Sequence, residues 1–410
     1  MTMPRTLPPR LADQLYHDML SPDEVRAVRA EVRAFGEREL APVAHEIGQR
    51  DECVEAFPWD VFRKMGEHGL FAIPFGAENG GRGLRHRAAA TAAAIEELAY
   101  FSNSVAAIYD VHCILAGHAL EAASPEVRAR WFPELIAGRV VGSFATSEPE
   151  ASTDLSPKAV RTVGEIVGDT VVLNGHKRFI TNSPVASFMA VLCRIGSSLS
   201  MVLVDLSSAG VRIGKPDRKL GNRAQLTADV HFENVRVPLA HMLGEAGQGL
   251  RIALATLTYG RVGIAATGVG MAQSVFDESA RHLKRREAFG RKIGQFQWWQ
   301  FRMAERATEI ENARNLYLKA ALRMDDGVEF PEPEAAMAKY YATNLAADFA
   351  REGIQIFGGY GFLRELSADG STYKVEEVYR DAKIAEIYEG TNEIQKLVIA
   401  RAILGKDMTG

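Results

Sequence analysis

TVVLNGHKRFITN, residues 170–182, is the stretch whose reading decides the fold. It places valine and threonine, which suit a pleated and half-buried surface, in front of the turn pair Asn174-Gly175. Similar short runs recur at Ala190–Cys193, Met201–Val204 and Val230–Val237, divided by turn residues. A β-rich segment therefore runs from about Val140 to Gly249, with a hairpin expected at Asn174-Gly175.

Both flanks read as helical. Ser21-Pro22-Asp23-Glu24 has the pattern of a capping box, and Val25, Val28, Val32 and Phe35 follow as one apolar stripe. Ser124-Pro125-Glu126 opens a second helix carrying Val127, Trp131 and Leu135. Gly80-Gly81-Arg82-Gly83 is a loop between them. Beyond Leu250 the helices lengthen. Gln297–Met324 has no proline or glycine and sets Phe301, Ala304, Ala307, Ile310 and Ala313 at helical spacing; Glu334–Glu352 and Thr391–Leu404 are alike. The expected architecture is α+β and mainly α, in three parts: helices over 1–139, a barrel- or sandwich-like β-domain over 140–249, and a helical bundle over 250–410. The strand–helix alternation of a doubly wound sheet is absent.

Composition narrows the function classes. Of 410 residues, 47% are hydrophobic and 24% charged, enough for a large core and too apolar for wholesale disorder. With 48 basic and 52 acidic side chains the net charge is −4, which lacks the basic footprint of a nucleic-acid binder. Cys53, Cys113 and Cys193 are too few and too scattered for a disulfide framework or a zinc site, and point to a reducing compartment. Met1–Arg10 lacks the apolar core of a signal peptide, and no apolar run approaches the roughly 20 residues of a membrane helix. A soluble, cytoplasmic protein without membrane insertion is expected.

Common catalytic signatures are missing. Gly268-Val269-Gly270 follows no strand and reads as close helix packing; His112 and His118 stand six apart, off any shared helical face; no metal site is expected. Chemistry-bearing residues are densest in Arg380–Gln395, where Glu389 precedes Gly390 and the N-cap candidate Thr391. Composition alone leaves this turn open between an ordinary solvated cap and a carboxylate facing a cleft.

That segment resembles the C-terminal signature of the acyl-CoA dehydrogenase family. The resemblance extends through PFGAENGGRGL (74–84), FATSEPEASTD (144–154), NGHKRFITN (174–182), Val235–Pro238, Arg286–Gly290, Phe296-Gln297 and Gln355–Gly359, in the family's order. It implies a helical domain, a β-domain and a C-terminal four-helix bundle, assembled as a homotetramer with FAD in each subunit. The reaction implied is oxidation of an acyl-CoA thioester to its 2,3-enoyl form. By position Glu389 matches the base that removes the α-proton, while the β-hydrogen leaves as hydride to flavin. Relatives that carry the base elsewhere place it just before a bundle arginine, and here that pair is Gly260-Arg261.

The resemblance further implies cofactor contacts from Phe144, Thr146 and Ser147, and from Phe179, Ile180 and Thr181 against the isoalloxazine, where many relatives have tryptophan in place of Phe179. Thr391 and Glu393 would lie near the adenosine half. Arg286, Phe289, Gln297, Gln355 and Gly359 would reach the FAD of a neighbouring subunit. Thr153, Thr258, Arg261 and Gly390 match the substrate side, and Tyr109, Asp110 and Ile114 are expected along the acyl chain. An electron-transfer flavoprotein is the implied electron acceptor. Four departures bear on the substrate: Pro149–Asp154 reads PEASTD in place of a glycine-rich turn, Thr258 replaces an aspartate, Gln225 replaces a serine, and Leu366–Thr372 is an insertion. They leave three readings open: an acyl-CoA dehydrogenase, a dehydrogenase of an acyl group on a carrier protein, and a non-catalytic flavin-binding or interaction protein on the same scaffold.

Overall fold

The computed structural model describes Arg10 and residues 19–151 and 153–409. The expectations for residues 1–9 and for Ser152 therefore fall outside the described residues. Helix α1 (Asp23–Phe35) buries Val25, Val28, Val32 and Phe35, as its stripe requires. Its start differs from the capping box: Pro22 is the N-cap, no side chain caps the first turn, and the Ser21 carbonyl instead accepts from Arg26. Helix α2 (Arg87–Phe101) is buried almost all round, its alanines admitting neighbours on every side. Helix α3 (Asn103–Tyr109) runs on through a π-helical stretch, Asp110–Gly117, into His118–Glu121. Helix α4 (Pro125–Ile136) starts as expected: the Ser124 hydroxyl accepts from the Val127 N–H, and Val127, Trp131 and Leu135 are buried. His112 is structural; one ring nitrogen lies 3.0 Å from the Leu135 carbonyl and the other accepts from the Gly142 N–H.

The middle segment forms one mixed sheet. Its strands are β1 (Gly142–Ala145), β2 (Val163–Val167), β3 (Thr170–Thr181), β4 (Phe188–Ile195), β5 (Ser198–Asp205), β6 (Val211–Ile213), β7 (Thr227–Pro238) and β8 (Met242–Leu243). The order is β6-β7-β3-β2-β4-β5-β8, and β1 and β2 both pair in parallel with β4. Although β5 and β7 are four places apart in that order, they approach each other, so the sheet curls round an inner core. Along β4 the two-residue period divides the side chains: Met189, Val191 and Cys193 enter that inner core, while Phe188, Ala190 and Leu192 pack against helices. The hairpin is displaced from its expected place. The β2–β3 turn is Gly168-Asp169, where Gly168 supplies a φ of +63°; Asn174-Gly175 lies within β3 at a register shift. Asn174 there exchanges hydrogen bonds with Asn234 on β7, and a Cβ on Gly175 would come 2.5 Å from the Thr162 hydroxyl.

The C-terminal part is a bundle of α5 (Gly249–Arg285), α6 (Gln297–Asp325), α7 (Glu334–Phe357) and α8 (Lys374–Ala385), followed by α9 (Asn392–Leu404). Among the described residues α5 is the one helix long and apolar enough to cross a membrane, but 83% of its most apolar window is buried in this protein, as a central core helix requires. Gly268 and Gly270 serve packing: a Cβ on either would meet the backbone of α7 at 2.7 Å or of α2 at 2.4 Å. On α6 the expected apolar stripe is buried at Ile310 and Ala313 only. Phe301 is 56% exposed and Ala304 is exposed, while Trp299, Met303 and Ala307 on the other face of the same turns pack against the core.

A buried ion network joins the two helical parts. Arg314 on α6 donates to Glu96 on α2 at 2.9 and 3.1 Å, and Arg29 on α1 donates to Glu97 and to the Tyr317 hydroxyl. Burial alone would raise the Glu96 carboxyl, but Arg29 and Arg314 outweigh it and hold it below the usual carboxylate range. Removing one member of such a network strands a buried charge, which costs about 3–5 kcal/mol. The packing is tested more simply at Gly270. Replacement by valine forces a side chain against the Glu96 carbonyl, and overpacking of this kind costs about 1–3 kcal/mol. Gly270→Val is expected to lower the urea midpoint accordingly, and an unchanged midpoint would contradict the close approach.

Candidate active site

The turn between α8 and α9 holds Glu389 in an uncommon conformation. Its φ is +54° and that of Gly390 is +92°. A left-handed glutamate costs about 1–2 kcal/mol, so its surroundings must hold it there. They do so from both sides. After the turn, the Thr391 hydroxyl accepts from the Ile394 N–H and caps α9. The Gly390 carbonyl accepts from Gln395 Nε2 at 2.8 Å and from Lys339 Nζ at 3.0 Å.

The carboxyl of Glu389 lies against α5. Gly260 and Gly263, three residues apart on one helical face, leave a groove. A Cβ on Gly260 would fall 2.0 Å from Glu389 Oε2, and one on Gly263 would fall 2.1 Å from Asp110 Oδ1. Two carboxyl groups thus sit side by side in the space of two missing side chains. Ile114 and Leu115 close the groove, 3.1 and 3.0 Å from the same two Cβ positions. Asp110 and Ile114 therefore face the site as expected. Tyr109 does not: its hydroxyl donates to the Leu70 carbonyl and its ring lies near Phe71, a quarter-turn round the helix. Leu115 escaped the sequence reading because the π-helical turn carries residue i+5 onto the face of Asp110.

The electrostatics separate the two carboxyls. Asp110 is fully buried and, among the described residues, no backbone N–H or basic side chain bonds its oxygens, so burial, followed by the Glu389 charge, pushes it well above the carboxylate range. Burial also raises Glu389, but Asp110 as hydrogen-bond partner and the charges of Lys339 and Arg261 oppose the rise. Both carboxyls are thus raised, and the cations face Glu389 and not Asp110. Arg261, largely buried, is ion-paired with Glu332.

The remaining candidates lie in two regions. On the β-domain, Phe144 is buried on β1, Ser143 donates to the Thr181 carbonyl, and the Thr181 hydroxyl accepts from Gln225 at 2.8 Å. The Thr146 carbonyl accepts from the buried Lys177, and the Ser147 carbonyl from the Arg178 N–H. Phe179 stands 69% exposed with a φ of +59°. Ile180 departs from the expectation, since its side chain is spent in the inner core of the sheet and only its backbone remains for a ligand. Thr258 is buried on α5, whereas Thr153 and Glu393 are exposed. The second region is at the far end of α5. Arg286, Gln355 and Gly359 line one cavity of about 410 Å³ with His282, Phe357 and Tyr360. Beside it Phe289 projects, 95% exposed, from a tight hairpin, and Gln297 is exposed at the start of α6. None of these second-region residues meets Glu389 within one chain. His176, Asp229 and His231 form the group among the described residues that could gather round a metal ion, but Arg178 already donates to both Asp229 oxygens.

A curled β-domain is thus held between two helical parts, with a buried carboxylate beside a glycine groove. Three family models match in sequence: the N-terminal (residues 22–139), middle (143–235) and C-terminal (247–404) domains of acyl-CoA dehydrogenase. The chain belongs to the acyl-CoA dehydrogenase family, and it is an oxidoreductase. It is 37% identical to a short-chain specific acyl-CoA dehydrogenase of Clostridium acetobutylicum, over 93% of this chain and 98% of that one. It is 35% identical to a 3-(aryl)acrylate reductase of Clostridium sporogenes, over 94% and 100%. The structure of butyryl-CoA dehydrogenase from Megasphaera elsdenii superimposes with a TM-score of 0.87 at 31% identity, over 95% of this chain and all of that one.

The groove makes a direct prediction. Gly260→Ala places a methyl group where Glu389 Oε2 now lies. The folded, flavin-loaded variant is expected to lose at least about tenfold in kcat, the scale of a displaced catalytic group. Turnover equal to wild type would contradict the contact.

Proposed function

We propose that the chain is an FAD-dependent dehydrogenase that oxidises a short acyl-CoA thioester to its 2,3-enoyl form, with Glu389 as the base. The observation that carries this reading is the Glu389 carboxylate itself, buried in the α5 groove and lodged at Gly260. Removing an α-proton needs a carboxylate held within reach of that carbon, and a poorly solvated carboxylate is a stronger base than one in water. The Glu389 N–H, held by the left-handed turn, suits a hydrogen bond to the thioester oxygen as charge develops on it. Asp110, Ile114 and Leu115 close the space beyond the base, which favours a short acyl group. Thr258 and Arg261 flank it from α5.

The residues present fit a flavin. An exposed Phe179 beside Thr181, Phe144 and the Thr146–Ser147 backbone offers an aromatic and polar bed for an isoalloxazine ring. Bound flavin would take the β-hydrogen as hydride. Thr391 and Glu393 at the start of α9 suit the adenosine side. The cavity formed by Arg286, Gln355 and Gly359, with Phe289 exposed next to it, suits the FAD of a neighbouring subunit in a homotetramer. A lone exposed phenylalanine and the apolar start of α6 would be covered there. Cytoplasmic action, with an electron-transfer flavoprotein as acceptor, completes the reading. Monomeric protein with full FAD content by sedimentation would contradict the assembly.

A carrier-bound acyl group is the second reading, favoured by the side chains of PEASTD where close backbone approach to the substrate is usual. Anaerobic mixing with butyryl-CoA distinguishes the readings. Wild type is expected to bleach its flavin; Glu389→Gln should stay yellow and bleach about 10²–10⁴-fold more slowly. Undiminished bleaching would remove Glu389 from the mechanism. Bleaching by a carrier-linked acyl group alone would select the second reading, and bleaching by neither would favour a non-catalytic flavoprotein. The pH dependence has a fixed sign. The base works ionised and its titration is raised, so kcat rises with pH along an acid limb that lies above the usual glutamate value of about 4.3.

A further inference from the structure

Lys339 is fully buried on α7, yet no carboxylate lies within ion-pair distance of it among the described residues. Its ammonium donates instead to neutral oxygens: the Gly390 carbonyl at 3.0 Å and Asn392 Oδ1 at 2.9 Å. Asn392 is oriented in turn, its amide donating to the Thr343 hydroxyl at 3.0 Å and to Asn344 at 2.8 Å. Thr343 closes the circuit by donating to the Lys339 carbonyl. A buried charge that ends on neutral groups is expensive unless it serves another charge nearby. The nearest carboxylate influence on it is that of Glu389, one residue before the carbonyl it holds. Burial and Arg261 push the lysine down to about 7, and Glu389 opposes that fall.

We propose that Lys339 is the positioning residue of the base: it pins the left-handed Glu389-Gly390 turn to the bundle through the Gly390 carbonyl, and its positive charge keeps the Glu389 carboxyl ionised. This rests on the reading of Glu389 as the base. The groups facing that carboxyl are Asp110 from the π-helical stretch, Arg261 from α5 and Lys339 from α7; Glu386 and Glu393 act on the lysine from the ends of α8 and α9. Burial raises the Asp110 carboxyl and Arg261 is engaged by Glu332, which leaves Lys339 as the cation that ends on neutral oxygens beside the turn.

The test uses flavin-loaded Lys339→Met, Lys339→Gln and Asn392→Asp, with Glu389→Gln alongside, and butyryl-CoA as the probe. The first removes tether and charge, the second keeps a donor for the Gly390 carbonyl but no charge, and the third leaves the ammonium in place and offsets its charge with an adjacent carboxylate. All three should move the acid limb of kcat upward by about one pH unit, the size of one nearby charge, with KM within about threefold. Lys339→Gln should retain more kcat at high pH than Lys339→Met, because the tether survives. A merely structural lysine would change stability and flavin content without moving the limb. An unmoved acid limb in the variants that load flavin, while Glu389→Gln is inactive, would overturn the role of Lys339 alone. Full turnover by Glu389→Gln would overturn the base reading and this proposal together.

Discussion

The contact on which the rest depends is that between the Glu389 carboxyl and the backbone of α5 at Gly260. It requires a helix with no side chain at two positions of one face, a left-handed turn aimed at that face, and a fold that brings residues 260 and 389 together. The bundle supplies the last condition. Helix α5 packs against α7, α8 and α2 at once, so the groove is carried by a central helix of the core. A carboxylate placed there is shielded from water but kept from full protonation by Asp110, Lys339 and Arg261. Its strength as a base is thus a property of three separate elements.

The same logic explains why the helical parts are locked by buried ion pairs and not by apolar contacts alone. Arg29, Glu96, Glu97, Arg314 and Tyr317 must find their partners in one arrangement. A slip between α2 and the bundle would strand charges in a medium where they are costly. That rigidity matters because Asp110 comes from the N-terminal part and Glu389 from the C-terminal part. A displacement of about 1 Å between them would spoil the pairing.

Much of this was legible in the sequence, for physical reasons. The stripes of α1 and α4 followed the 3.6-residue period, the valine-rich runs became β4, β5 and β7, and Gly268 and Gly270 proved to be packing residues. What failed did so where local chemistry was overruled. Asn174-Gly175 looked like a hairpin turn, but the long pairing of β3 with β7 absorbed it as a register shift and left the turn to Gly168-Asp169. Tyr109 turns away because neighbouring helical residues point about a quarter-turn apart, and Leu115 was missed because a π-helical run does not keep the α-helical period. Ile180 follows the alternation of its strand into the core, a constraint that motif similarity does not show. Lys339 carries no signature at all, since its importance comes only from lying opposite the Gly390 carbonyl, 51 residues further along the sequence.

The central claim is that Glu389 removes a proton from the carbon next to a thioester. The most direct measurement is solvent exchange at that carbon. Flavin-loaded protein is incubated anaerobically with butyryl-CoA in D2O, and deuterium at C2 is followed by mass spectrometry. Wild type should wash deuterium into C2, and Glu389→Gln should do so at least about 10²-fold more slowly. Equal exchange rates in the two proteins would contradict the account.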